Sequence, residues 1–250
     1  MFDAKIGARL LHEAKITKQA LSALPPEAVP HSEAEAALIQ DEMAQLRGPV
    51  VAWKVGAATP DSSPNRAPIH ADSLFVKPGR IAASMFTYIG AEAEIAYKFS
   101  KDLMPGASPF TLDDVLNAVD SVHPAIEIID TRFLKLDSQP PLAHRADQGN
   151  HGALIIGDPI PDWRSLRPRQ QRVILEINNA VVSDKIDGNN AGNPEALLLW
   201  LANVGARSLG GIKAGHYVTT GSCSGTILVN APVWLTATLV ERGSLTLTID

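Results

Sequence analysis

The sequence predicts an α+β protein, a mixed β-roll preceded by an N-terminal helical arm. Three observations support this. Helical periodicity is concentrated in the first 49 residues, alternating strand patterns dominate afterwards, and there is no regular βαβ rhythm. The chain is therefore expected to divide into an arm, residues 1–49, and a main β-roll domain, residues 50–250.

Residues 5–23 predict an amphipathic helix, with Ile6, Leu10, Leu11, Ala14 and Leu21 on one stripe and Pro25-Pro26 as the stop. Ser32 with Glu35 three residues later predicts a capped second helix running to Gly48. Val50 to Val55 predicts a short buried strand closed by Gly56. Residues 58–72 carry three prolines among small polar residues and predict a loop, placed to act as a lid. Residues 89–97 and 124–130 predict strands, and Thr111 with Asp114 predicts a helix between them, running to Asp120. Residues 172–182 predict a hairpin turning at Asn178-Asn179, two residues that tolerate positive φ. Asn193-Pro194 predicts a helix start, with the helix continuing to about Val204. Residues 233–249 predict a closing hairpin around Glu241-Arg242-Gly243.

Composition narrows the function. The 250 residues are 45% hydrophobic and 20% charged, as in ordinary globular proteins. A formal charge of −5 gives no footprint for nucleic acid. No apolar run approaches a membrane span, and Met1-Phe2-Asp3-Ala4 does not begin a signal peptide, so a cytoplasmic location is expected. The single cysteine, Cys223, excludes an intrachain disulfide and a thiolate-cluster zinc site. Any metal should have hard oxygen ligands.

The chemistry centres on Ala91-Glu92-Ala93-Glu94-Ile95. On a strand, residues i and i+2 share a face, so both carboxylates project together. Side by side they repel unless they are solvated or compensated, and Mg²⁺ or Mn²⁺ is one compensation. Glu127 lies in the apolar run Pro124 to Ile129, so it is either at an edge or buried with a partner, which is a cation or a base such as Arg132. Lys54 sits inside an apolar strand, where it either reaches solvent or meets a carboxylate. The turn Thr219 to Gly225 offers backbone N–H groups suited to an anion, as many Ser/Gly turns do. His144 and His151 flank a polar stretch that lines a pocket or forms surface loop. His70, in the expected lid, is a candidate base or a solvated histidine.

Trp53 to Ala57, GAEAEIAYKFSKDL (90–103), PAIEIID (124–130), ADQGNHGALIIG (146–157) and IKAGHYVTTGSCSG (212–225) occur in an order that resembles the 2-oxopent-4-enoate hydratase and 4-oxalocrotonate decarboxylase family of the fumarylacetoacetase-like superfamily. The specific part is Glu-x-Glu followed by Pro-Ala-x-Glu. The resemblance implies a β-roll of the fumarylacetoacetase C-terminal type, a homo-oligomer, and a small 2-oxo or 2-hydroxydienoate acid as substrate. It also implies Mg²⁺ or Mn²⁺ on Glu92, Glu94 and Glu127. Lys54 and Asp147 match catalytic positions, and Thr220, Gly221 and Ser222 match the turn that holds the substrate carboxylate. The implied reaction is hydration of a 2-hydroxy-2,4-dienoate to a 4-hydroxy-2-oxo acid. Decarboxylation of a 2-oxo-enedioate is the alternative, followed by acylpyruvate hydrolysis with His70 as the lid base. Gln148 stands where the family has asparagine, and residues 58–73 differ from the family's Gly-rich acidic loop.

Overall fold

Asp3 begins the first helix in the computed structural model, which describes residues 1–250. Its carboxylate accepts from the Lys5 N–H and caps α1 (Ala4–Thr17). The helix ends at left-handed Lys18 (φ 59°), short of the predicted residue 23. Tertiary pairing explains the difference. The Leu21 N–H donates to the Arg132 carbonyl, and the Leu134 N–H donates to the Leu21 carbonyl, so the chain is extended there. Helix α2 (Glu33–Arg47) is capped by Ser32, whose hydroxyl accepts from the Glu35 N–H at 3.1 Å, and it ends at Gly48 as predicted. The two helices touch closely at Gly7, where a Cβ would lie 3.0 Å from Ile39. With α4 (Pro141–Ala146) they form a separate apolar cluster that includes Leu11, Ile39, Met43 and Phe133.

The larger sheet has eight strands. Its order is β2 (Asn65–His70), β1 (Val50–Gly56), β10 (Tyr217–Thr219), β5 (Ile89–Phe99), β6 (Val119–Ile129), β7 (His151–Ile156) and β3 (Leu74–Val76), with β11 (Ile227–Val229) also paired to β5. The second sheet runs β4 (Arg80–Ile81), β13 (Gly243–Ile249), β12 (Val233–Leu239), β8 (Arg172–Ile177) and β9 (Ala180–Ile186). The two sheets pack face to face. Trp53, Ala91, Ala93, Ile95, Ile126 and Ile128 meet Val173, Leu175, Leu235, Leu247 and Ile249 in the main core. The predicted α+β class is the one observed. The β8–β9 hairpin turns at Asn178 (φ 51°) and Asn179 (φ 66°), and β12–β13 turns at Glu241 (φ 66°), both where the sequence placed them.

Helix α3 (Leu112–Ala118) carries the Thr111–Asp114 capping box but stops before Asp120, because β6 begins at Val119. Helix α5 (Pro194–Trp200) passes into a wider π turn over Leu201–Gly205. The Gly205 carbonyl there accepts from Arg66 Nε at 3.0 Å. Arg66 also reaches Gln40 and Asp41 on α2, so it ties α2 to β2 and to the π turn.

The predicted loop over 58–72 is loop only as far as residue 64. Residues 65–70 form β2, antiparallel to β1, with Lys54 opposite Ala67. Proline at position 68 is tolerated because β2 is an edge strand. His70 is therefore not in a lid. It is 1% exposed, and its Nδ1 lies 3.0 Å from the Gly48 carbonyl. Burial first, then Arg47, lowers its pKa from 6.5 to about 4. Between these values the unfolded chain takes up a proton that the folded chain refuses, so stability is full above pH 6.5 and falls as pH drops toward 4. His70→Asn should remove this share of the acid sensitivity, on the order of 2–3 kcal/mol by urea unfolding across the window. An unchanged pH slope would refute the assignment.

Candidate metal centre

Strand β5 lies between β10 and β11 on one edge and β6 on the other, and its residues are buried almost throughout. In the β5–β6 register Glu92 stands directly opposite Glu127, and Glu94 follows on the same face. Ala91 and Ala93 point into the inter-sheet core, while the glutamate face carries Ala52, Ile69, Ala96, Ala125 and Leu154. Both faces are thus covered, and the two glutamates do not form a solvated strand face. Glu92, Glu94 and Glu127 are 8%, 1% and 1% exposed, and an oxygen from each lies within 4.8 Å of the others.

Neighbouring strands supply the partners. Lys54 Nζ on β1 donates to Glu127 Oε1 at 2.7 Å and to the Gly149 carbonyl at 3.1 Å. Of the two alternatives open to Lys54 in the sequence, it meets a carboxylate. Thr219, on β10, donates its hydroxyl to Glu94, and Thr226 donates to Glu92. His151, fully buried at the start of β7, has Nδ1 2.8 Å from Glu127 Oε1 and Nε2 3.2 Å from Ser73 Oγ. Burial, then Lys54, Lys15, Arg47 and Arg132, hold its pKa well below 6.5, and the Glu127 carboxylate facing Nδ1 favours the neutral ring with its proton there. Sequence reasoning left His151 undecided. The signal was its place at the head of the apolar run HGALII.

The sequence-derived candidates are placed unequally. Between β10 and β11 the chain leaves the ladder, and Thr220–Gly221–Ser222 lie on this excursion beside β5, pinned where the Cys223 N–H donates to the Ala93 carbonyl at 2.8 Å. Gly221 has φ 89° and packs close to Gly56, and Thr220 Oγ1 is buried without a partner. Asp147 is buried, but its oxygens are already engaged. Oδ2 accepts from Thr131 Oγ1 and the Arg132 N–H, both at 2.9 Å, and Oδ1 pairs with the Arg132 guanidinium. Arg132 is therefore the partner of Asp147, not of Glu127. Gln148 takes Arg47 from α2 and donates to the Pro68 carbonyl at 2.7 Å. His144 holds Asn150 at 2.7 Å.

Burial, with Glu127 and Glu92 next, pushes Glu94 well above the carboxylate range. Burial likewise raises Glu92 and Glu127, against the pull of Lys54. Burial opposes the charge on Lys54, but the three carboxylates outweigh it and raise its pKa. Glu94 Oε1 is a buried carboxylate oxygen with no hydrogen-bond partner. An all-oxygen donor set with one such orphan fits a hard divalent cation.

Comparison with solved structures shows the fold. 4-Oxalocrotonate decarboxylase from Pseudomonas putida G7, complexed with magnesium and adipate, matches with a TM-score of 0.85 at 22% identity, covering 99% of this chain and 97% of that one. The sequence is similar to 2-hydroxyhexa-2,4-dienoate hydratase of Comamonas testosteroni, 33% identical over 136 residues, which is 53% of this chain and 49% of that protein. It is also similar to 4-oxalocrotonate decarboxylase of Pseudomonas putida, 29% identical over 154 residues, 60% of this chain and 56% of the relative. The chain spans about half the length of the curated relatives it matches. No family model matches it. The likeness to these relatives thus extends over about half of their sequence, and the likeness of fold over nearly the whole chain.

A carboxylate with a raised pKa weakens the fold as pH rises above its unfolded value, here 4.5. In metal-free protein at neutral pH, Glu94→Gln should therefore raise the thermal midpoint, by roughly 2–5 °C. A lowered midpoint would mean that the chain already compensates this charge.

Proposed function

We propose that this chain is a divalent-metal-dependent hydro-lyase adding water to a 2-hydroxy-2,4-dienoate of the 2-oxopent-4-enoate type, giving a 4-hydroxy-2-oxo acid. The observation that carries the reading is an unbalanced buried charge. Three carboxylates face a single ammonium, which leaves two negative charges that Mg²⁺ or Mn²⁺ on Glu92, Glu94 and Glu127 neutralises. When bound, the ion supplies Lewis acidity to the oxygens of a 2-oxo acid.

The remaining roles follow from the side chains. Lys54 spends two of its three N–H donors on Glu127 and Gly149 and keeps one for the substrate, where it moves the proton of tautomerisation. Thr219 and Thr226 fix the glutamates' orientation, and neutral His151 fixes Glu127. The free Thr220 hydroxyl, with the Gly221–Ser222 backbone, receives the substrate carboxylate. Asp147, fully engaged by Arg132 and Thr131, positions the 147–150 turn and leaves proton transfer to Lys54. The roll is of the fumarylacetoacetase C-terminal type, with 1–49 as an arm on 50–250, and the enzyme works as a cytoplasmic homo-oligomer.

Decarboxylation of a 2-oxo-enedioate is the second reading, favoured by the extent of the fold match to a decarboxylase. Acylpyruvate hydrolysis loses its base, because His70 is buried in β2 with Nδ1 at backbone carbonyls.

The test is turnover of 2-hydroxypenta-2,4-dienoate by metal-stripped protein with and without Mg²⁺ or Mn²⁺. Metal-dependent formation of 4-hydroxy-2-oxopentanoate supports the hydratase. CO₂ release from a 2-oxo-enedioate without hydration moves the assignment to the decarboxylase, and calorimetry showing no metal binding overturns both. Lys54→Met should lower kcat by about 10²–10⁴-fold while metal binding is kept or tightened, since a competing cation is gone.

A further inference from the structure

The arm and body enclose a second polar site outside the glutamate centre. A cleft of about 600 Å³ opens between the C-terminal turn of α1, the end of α2 and the Ser84–Met85 segment, with Gly152 on its inner wall. That volume suits a small ligand. Its charged lining is Lys15, Lys18, Arg47 and Asp72, with His12 beside them. A smaller hollow sharing Lys15, Lys18 and Met85 continues from it to Asp130 and Arg132.

The cations there are unevenly matched. Arg47 pairs with Asp72, Arg132 with Asp147, and Lys18 donates to the Met85 carbonyl. Asp130 accepts from the backbone N–H groups of Thr87, Tyr88 and Thr131. Lys15 has no ion-pair partner. Burial, then Arg47 and Arg132, lowers its pKa to about 8, as expected for an ammonium crowded by like charge. His12 Nδ1 is also buried without a partner. A half-buried lysine lacking a counter-ion and an orphaned imidazole nitrogen thus line one ligand-sized cleft. The chain's overall charge of −5 argues against a polyanion as the occupant.

We propose that this cleft binds a small oxyanion, a carboxylate or a phosphate, held by Lys15 together with Arg47 and Lys18. The anion supplies the charge that Lys15 lacks and bridges helices α1 and α2 to the body. Gly152, which lines the cleft, follows His151, whose ring contacts Glu127, so the bound anion lies against the strand that carries a partner of the glutamate centre. The site is independent of the metal reading, since none of its groups is a proposed metal ligand.

The experiment is thermal unfolding of the full chain titrated with inorganic phosphate or, separately, malonate, against chloride at matched ionic strength. The midpoint should rise with the oxyanion, on the order of 5 °C at a hundredfold excess over Kd, and not with chloride. Lys15→Met should raise the anion-free midpoint, by removing an uncompensated charge, and abolish the rise. Lys15→Arg should retain it, and so should Lys5→Met, an exposed change on the same helix. A response to phosphate alone identifies a phosphate site, a response to malonate alone a carboxylate site, and a response to both a general oxyanion site. No response to either, or an undiminished response in Lys15→Met, overturns the proposal.

Discussion

The pairing of Glu92 with Glu127 across one rung of a sheet buried on both faces is the constraint around which the molecule is built. Like charges directly opposite one another destabilise a ladder, and each ion withdrawn from water costs several kcal/mol. The surrounding strands answer that cost in kind. Lys54 supplies charge, Thr219 and Thr226 supply hydroxyl donors, and His151 supplies an N–H without adding charge. With all three carboxylates ionised, what they leave uncompensated is two negative charges and one bare oxygen on Glu94. Burial answers the same deficit by raising all three carboxyl pKa values, Glu94's the furthest.

Rigidity comes from the same ladder. Five adjacent strands each bring polar groups to one face: β1 brings Lys54, β10 Thr219, β5 Glu92 and Glu94, β6 Glu127 and β7 His151. Strand register fixes their spacing, so no flexible loop sets the distance between the ammonium and the carboxylates. The exception is the turn that carries the Gly149 carbonyl. Gln148, Gly149 and Asn150 are all left-handed (φ 52°, 60° and 59°), a conformation that costs energy at Gln148 in particular. Gln148 is held there by Arg47 and Pro68, and Asn150 by His144. Helix α2 thereby reaches the Lys54 environment through the Arg47 side chain.

Much of this is legible in the sequence, for identifiable reasons. The period of two in GAEAEIAY places two carboxylates on one face, and the caps at Ser32, Thr111 and Asn193 mark helix starts from local hydrogen bonding alone. Thr219, Thr226 and Lys15 are not legible as partners or non-partners, because their meaning depends on strands and helices distant in sequence. The 58–72 segment misleads because an edge strand tolerates prolines that would disqualify a central one. The end of α1 misleads because a tertiary bridge to residues 132–134 overrides local helix preference.

Strand β10 is three residues long, yet it alone joins β1 to β5, parallel to the first and antiparallel to the second. The lysine on β1 and the glutamates on β5 are therefore brought into register by a segment encoded well after both. On the ribosome, β5 and β6 can bring the three glutamates together by themselves, but Lys54 on β1 stays apart from them until β10 has emerged. This pairing also gives the sheet a high contact order, with the loop-closure entropy owed before Lys54 joins the glutamates. The element that completes the site is thus the one that delays it, and the protein should acquire its chemistry in one late step of folding.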